Sequence, residues 1–453
     1  MADYNAVVAE DDHPVTRQQW KWTAVASMAN YIDAGSIVAG GSGLTLWTAQ
    51  FHMGNTLVGM LGAFSSNAIS AGVGALIGGR ICDVYGRKKI YAWDLLVYAF
   101  GILWIVFAMK AWMLFVGYVI VGLAVGADVP ASWTLIAELA PRKSRGKLSG
   151  FAQVLWNMGP VITLLLALAL SRLGLLGIRL LFVHLLILAI ITWFMRRGVV
   201  ESDRWKAAVQ TERKSHPSRR VSNVREPRRS GFRELVSSRA NVGALVFCIL
   251  MYGLWNLVAG TNGFFLPYIL QTVGSESQAT SVELQCFNFL LTVLATILVF
   301  MPLNDRVNRR LLFTISSVLQ VVAFLLFVFF HLNTWIALAN IILYGIGFGF
   351  GQQPFFQLWS GELFPTRLRS TAQGFMFAVV RIGLGLWSFV VPVLTATGFH
   401  TLALILTLML VVSGLIGIIF APKTEGKSLE QIEAERSKGA SPLSSSDYVS
   451  PSN

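Results

Sequence analysis

Twelve apolar stretches, each about 20 residues long, run along this chain. They begin near Trp20, Asn55, Ile90, Trp112, Ser149, Ile178, Asn241, Ser281, Leu311, Thr334, Ser370 and Thr401. A helix of that length crosses the hydrocarbon core of a bilayer, where each backbone N–H and C=O must be satisfied within its own segment. The pattern predicts an all-α membrane protein with twelve transmembrane helices. Its 55% hydrophobic and 13% charged residues agree, because a water-soluble globule of 453 residues rarely has such a composition.

Basic residues fall in alternate connections: Arg87 to Lys89, Arg142 to Arg145, Arg204 to Arg239, Arg306 to Arg310, then Arg367 and Arg369. Under the positive-inside rule these connections face the cytoplasm, and an even number of spans puts both termini there, in a multi-pass protein of the cell (inner) membrane. The net charge of +13 is then a topology signal, and no nucleic-acid partner is expected. The polar opening, Met1 to Arg17, lacks the layout of a removable signal peptide. Cys82, Cys248 and Cys286 form no disulfide framework, and the Ser-rich end from Lys438 to Asn453 reads as disordered. The expected organisation is a cytoplasmic segment (1–18), a six-helix bundle (19–198), a basic cytoplasmic loop (199–240), a second six-helix bundle (241–421) and a cytoplasmic tail (422–453).

Three signals recur at an offset of 222 to 224 residues: Asp83-Val-Tyr-Gly-Arg87-Lys88 with Asp305-Arg-Val-Asn-Arg309-Arg310, Glu138-Leu-Ala-Pro141 with Glu362-Leu-Phe-Pro365, and Glu201 with Glu425. In the middle pair the next basic anchor, Arg145 or Arg369, follows its glutamate at the same distance. Their agreement marks a duplication of six helices. Membrane carriers built from such repeats bind their solute near the midplane, between the halves.

On these motifs the chain resembles the major facilitator superfamily over nearly its whole length. The loop Gly79-Arg-Ile-Cys-Asp83-Val-Tyr-Gly86-Arg87-Lys88 is similar to that superfamily's signature between helices 2 and 3, with Val84 where an Arg is usual. Further markers are similar to the sugar-porter branch: Glu138-Leu-Ala-Pro-Arg142 with Arg145-Gly-Lys147, Glu201-Ser-Asp-Arg204-Trp205, Glu362-Leu-Phe-Pro-Thr-Arg367, and Pro422-Lys-Thr-Glu425-Gly-Lys-Ser428-Leu-Glu430. The resemblance implies a secondary transporter driven by a proton gradient, with no cofactor, whose partners are protons, a small solute and the lipid bilayer, and which works as a monomer. Asp83, Arg87, Glu138, Arg145, Glu201, Arg204, Asp305, Arg309, Glu362 and Arg369 are the expected cytoplasmic gate, made of charge-assisted pairs that form in one conformation and part in the other. The alternative is that they fix helix ends without gating.

Ionisable groups inside spans are costly, so Asp33, Asp128 and Arg381 are functional candidates. Asp33 shares a helical face with Asn30, Ser36 and Gly40. The resemblance places Asp33 where proton-coupled sugar porters carry the acid that takes up the coupling proton, and burial there favours its protonated form. Direct solute binding and a static ion pair remain open for it. The usual Arg partner in helix 4 is Tyr118 here, leaving Asp128 and Arg381 as candidates for its work. Arg381 is open to two readings: an anion contact, or a structural pair with Asp33 or Asp128. Asp94, near the end of helix 3, reads as loop-facing.

The resemblance's sugar-binding positions are mixed: its helix 5 glutamine, helix 10 tryptophan and helix 11 glutamine align with Pro160, Gln357 and Val380. In helix 7, Asn256 and Asn262 align with an asparagine motif that contacts hydroxyls, and a break near Gly260 is needed to bring them to one side. Gln353 with Gln357, Gln153 with Asn157, and Asn30 complete the amide set expected to bind a polyhydroxylated solute, though about half are expected to serve between helices instead. Among the aromatics, Trp255, Phe264, Phe265, Phe355, Phe356 and Trp359 offer stacking faces.

No Walker A loop, metal-ligand spacing or nucleophile motif stands out, so neither an enzyme nor a metal site is expected. The expected activity is proton-coupled import of a sugar, an inositol-like polyol or a sugar acid. The alternatives are an organic-anion or metabolite symporter or exporter and, more remotely, a transporter-like solute sensor.

Overall fold

The computed structural model describes residues 14–64, 68–199, 202, 204–207, 231–266, 269–270, 274 and 277–438. Helix α1 spans Arg17–Phe51, α2 Asn55–Ala63, α3 Ile69–Tyr85, α4 Arg87–Val106, α5 Ala111–Leu139, α6 Arg145–Ala169 and α7 Leu175–Arg196. A short helix, α8 (Gly231–Ser237), precedes α9 (Arg239–Gly260), which continues through a π-helical turn, Thr261–Phe265. Helix α10 (Gln278–Ala295) continues through a second such turn, Thr296–Phe300, into Met301–Leu303. Then come α11 (Arg309–Phe329), α12 (Thr334–Gly349), α13 (Gln352–Glu362), α14 (Arg369–Thr397), α15 (Phe399–Phe420) and α16 (Leu429–Lys438).

The helices start within a few residues of where the apolar runs predict them, and two spans are broken. Span 2 is divided between α2 and α3, and span 10 between α12 and α13. Among the described residues, ten segments are long and apolar enough to cross a membrane. The other two spans fall short for local reasons: α1 carries a polar stripe, and α3 is a 17-residue helix with Gly72, Gly74, Gly78 and Gly79 on its buried faces.

Local chemistry sets the ends. Thr16 caps α1 reciprocally: its Oγ1 accepts from the Gln19 N–H at 3.2 Å while Gln19 Oε1 accepts from the Thr16 N–H at 2.9 Å. Asn308 Oδ1 caps α11 through the Arg310 and Leu311 N–H groups, at 2.9 and 3.2 Å. Gly86 alone separates α3 from α4, at φ 91°, a left-handed conformation that glycine adopts without a Cβ clash.

The N-terminal half packs α1 on α6 and α7, and α5 on α3 and α4; the C-terminal half packs α11 on α12 and α15, and α9 on α14 and α15. The halves meet where α3 lies on α14 and α10 on α6. At the first crossing, Gly79 faces the Ser370 carbonyl and Gly374 faces the Ala75 carbonyl, so the backbones touch. Large apolar side chains such as Leu298 (68% exposed), Leu408 and Ile419 point outward, as a lipid-facing surface requires.

Candidate functional site

A cavity of ≈ 630 Å³, counting its open mouth, lies between the halves. From the N-terminal half it is lined by Ala34, Ile37 and Val38 of α1 and by Trp156 and Pro160 of α6. The C-terminal half contributes Asn256 and Asn262, the α10 pair Gln285 and Asn288, Tyr344, Gln353 and Arg381, with the aromatic faces of Trp255, Phe264, Phe289 and Phe348. The π-helical turn after Gly260 carries Asn262 and shifts the helical phase, so both asparagines of span 7 reach one cavity. Asn256 Oδ1 and Asn288 Oδ1 are buried there without a protein hydrogen-bond partner. They are acceptors available to a donor inside the cavity.

Three of the seven predicted amides, Asn256, Asn262 and Gln353, line this cavity. The other four are buried elsewhere. Asn30 Nδ2 donates to the Ala152 carbonyl (3.4 Å), tying α1 to α6, and Asn157 Nδ2 donates to the Gln153 carbonyl (2.9 Å) within α6. Gln357 lies a turn beyond Gln353 and is not among the lining residues. Sequence reasoning missed Gln285 and Asn288; their i, i+3 spacing, continued by Thr292 and Thr296 on one face of an apolar span, was the available signal. Trp255 and Phe264 line the cavity, whereas Phe355 packs on Phe300, Phe313 and Trp359.

Asp33 is 2% exposed and lies behind the cavity wall. The cavity-lining indole of Trp156 donates to its Oδ2 at 3.4 Å, and its electrostatic neighbours are Arg381 and Asp128. The Arg381 guanidinium reaches the cavity and lies 4.4 Å above the Phe377 ring. Asp128 does not pair with Arg381: it accepts from Arg196 Nη1 at 3.0 Å. Asp94 is not loop-facing either; it is buried and binds the same nitrogen at 2.8 Å. Arg196 ends a span beside Arg197, and in the sequence it is indistinguishable from a positive-inside anchor.

At the basic end of the bundle the repeat becomes a pseudo-twofold latch. Glu138 binds Arg87 of its own half at 2.6 Å and Arg369 of the other half at 3.2 Å. Glu362 binds Arg309 of its own half at 2.9 Å and Arg145 of the other at 3.1 Å. Asp83 accepts the Ser370 and Thr371 N–H groups at the start of α14 (3.3 and 2.6 Å), and Asp305 accepts those of Gly146 and Lys147 at the start of α6 (3.2 and 3.1 Å). Each carboxylate therefore meets the positive end of a helix from the opposite half. Burial pushes Asp305 above the usual carboxylate range, against the pull of Arg309 and the two N–H groups. Arg204 donates to the Glu138 carbonyl (3.1 Å) and pairs with Glu430 of α16 (3.4 Å), and Glu425 accepts the Arg309 N–H. Glu201 lies outside the described residues.

Residues 47–435 match the Sugar (and other) transporter family. The chain belongs to this family. Among its relatives, the minor myo-inositol transporter IolF of Bacillus subtilis is 45% identical over 416 residues, covering 92% of this chain and 93% of that protein. The niacin transporter NiaP of Acinetobacter baylyi is 26% identical, covering 80% and 85%. The fold is that of the proton:xylose symporter XylE bound to 6-bromo-6-deoxy-D-glucose, with a TM-score of 0.78 at 20% identity, covering 92% of this chain and 98% of XylE. This transporter is therefore a multi-pass membrane protein with the twelve-helix major facilitator fold.

Proposed function

We propose that this transporter imports a neutral cyclic polyol of the inositol class together with a proton, by alternating access. The observation that carries the reading is the interhalf cavity, walled by amides and aromatic rings, with a buried acid one indole behind it. Amides both donate and accept, so they match the alternating hydroxyls of a polyol, and ring faces cover its C–H surface. Asp33 changes charge without touching the solute directly, and Trp156 contacts both sites, so occupancy of one acts on the other. The 45% identity to a myo-inositol transporter supports the same solute class. The basic end is cytoplasmic in this reading, and its latch is closed while the cavity is loaded; the single chain supplies the whole cavity and acts as a monomer.

The test is uptake of labelled myo-inositol into proteoliposomes under an imposed pH gradient, with and without protonophore, for wild type and Asp33→Asn. Gradient-driven accumulation is expected to be lost in Asp33→Asn while counterflow exchange persists. Uptake that only equilibrates the solute and ignores both protonophore and substitution would make the protein a facilitator. A second reading rests on Arg381, whose guanidinium lines the cavity and suits a carboxylate such as niacin, the solute named for a more distant relative. Uptake confined to anions would select it.

A further inference from the structure

Away from the cavity, inside the N-terminal half, three charged side chains converge with almost no exposure. Arg196 Nη1 donates to Asp94 Oδ2 at 2.8 Å and to both oxygens of Asp128 at 3.0 Å. The rest of the guanidinium is occupied: Nη2 donates to the Ala26 carbonyl (3.0 Å) and Ser132 Oγ (3.3 Å), Nε approaches the Val25 carbonyl at 3.5 Å, and the Tyr91 ring lies 4.2 Å beneath it. The side chains of Arg196, Asp94 and Asp128 are 0, 2 and 3% exposed. Two ionised carboxylates on one guanidinium nitrogen would leave a net negative charge buried inside the N-terminal half, where two like charges sharing one site do not readily both ionise.

We propose that Asp94 and Asp128, held on Arg196, form a second proton-binding site of this transporter, in which the two carboxyl groups share one proton. With that proton the triad is neutral; on release, H⁺ departs from one carboxylic O–H, the bonding electrons stay on its oxygen, and Arg196 remains charged throughout. A separate cavity of ≈ 250 Å³ opens onto both acids and is lined also by Tyr98. The Tyr98 hydroxyl lies 2.6 Å from Ser36 Oγ, and Ser36 is one helical turn from Asp33 on α1. Tyr98 is likewise one helical turn from Asp94 on α4, so the hydroxyl pair neighbours both acid sites. The other titratable groups around the triad are Tyr91 and Tyr98 of α4, Cys82 of α3 and Asp33 of α1. Asp94 and Asp128 are nearer the basic end than Asp33, so a proton moving between the sites travels inside one half, apart from the solute. The role in transport rests on the proton-coupled reading above; the existence of the site does not.

The experiment is infrared spectroscopy of the purified full-length protein, titrated from acid to alkaline buffer in H2O and D2O, for wild type, Asp33→Asn, Asp94→Asn and Asp128→Asn. A protonated-carboxyl stretch that survives Asp33→Asn and is abolished by either Asp94→Asn or Asp128→Asn is the expected result, because two acids sharing one proton lose it together. Retention of that band in both single variants would mean that the acids form an ionised triad with a structural role only. Either asparagine replaces a protonated acid, so each single variant should melt near wild type, whereas Asp94→Asn/Asp128→Asn together leave Arg196 without a counter-charge and should not fold. Single variants that fail to fold would therefore also overturn the proposal. Protonophore-insensitive uptake with the spectral signature intact would uphold the site and remove only its coupling to transport.

Discussion

Asn256 and Arg381 divide the chemistry of the cavity between a neutral acceptor and a fixed cation. The unsatisfied Asn256 Oδ1 is free to take a solute hydroxyl. Asn256→Ala should raise the KM for myo-inositol about fivefold, the worth of one neutral hydrogen bond of ~1 kcal/mol, with kcat little changed. Arg381→Gln separates the two solute classes, because a polyol needs no guanidinium while a carboxylate does. Competition assays should show polyol affinity within about twofold of wild type, against a loss of roughly tenfold or more for any carboxylate that binds, the expected scale of a charge-assisted hydrogen bond of ~1.5–3 kcal/mol. At this scale the sequence was informative about Asp33, whose polar stripe with Asn30 and Ser36 stands out in an apolar helix. It was uninformative about Arg196, because a basic residue at a span end has the same appearance whether it snorkels to the interface or turns inward onto two acids.

Among the elements, the crossing of α3 and α14 joins the two halves with little tolerance. A Cβ added to Gly374 would meet the Ala75 carbonyl and the Gly79 Cα, both backbone atoms that cannot rotate away. Gly374→Val should therefore separate the halves at the basic end. The check is the distance between spin labels at Lys88 and Arg310, exposed positions flanking the latch on opposite halves, which should lengthen relative to wild type. The broken elements serve the site in another way: the π-helical turn Thr261–Phe265 aligns Asn256 with Asn262, and the break between α12 and α13 ends one helix and begins another at Gln352, beside the cavity-lining Gln353. Gly260 in the sequence hinted at the first, but the type of the break depends on what packs against it, here the Leu384 side chain.

For the whole molecule, the latch is proposed to set the balance between conformations. Removing one partner of a buried ion pair costs about 3 kcal/mol, and Glu138 serves two arginines, so Glu138→Gln should shift the equilibrium toward the open basic end by roughly a hundredfold. The same label pair reads the result. Asp305 adds a pH dependence. Its carboxyl is raised in the closed state, so closure binds the proton more tightly than the solvated group does. Its contribution is complete below the solvated carboxylate value near ~3.9 and fades as pH rises through the raised one. Acid should therefore favour the closed latch, and Asp305→Asn should flatten that part of the profile in the label distances.

The sequence alone determined the twelve spans and the duplicated halves and singled out the charged motifs at the basic end, because hydrocarbon thickness and local backbone hydrogen bonding fix helix length without reference to neighbours, and the repeat shows which motif corresponds to which. Which glutamate pairs with which arginine across the halves was decided by the tertiary structure. Tertiary structure decided which amides face the solute and which tie helices together, that Gln285 and Asn288 join the cavity, and that Asp128 and Asp94 share Arg196. Those outcomes depend on the rotation of each helix about its own axis, and in a bilayer that rotation is set by packing against other helices, since lipid and protein interior are equally apolar.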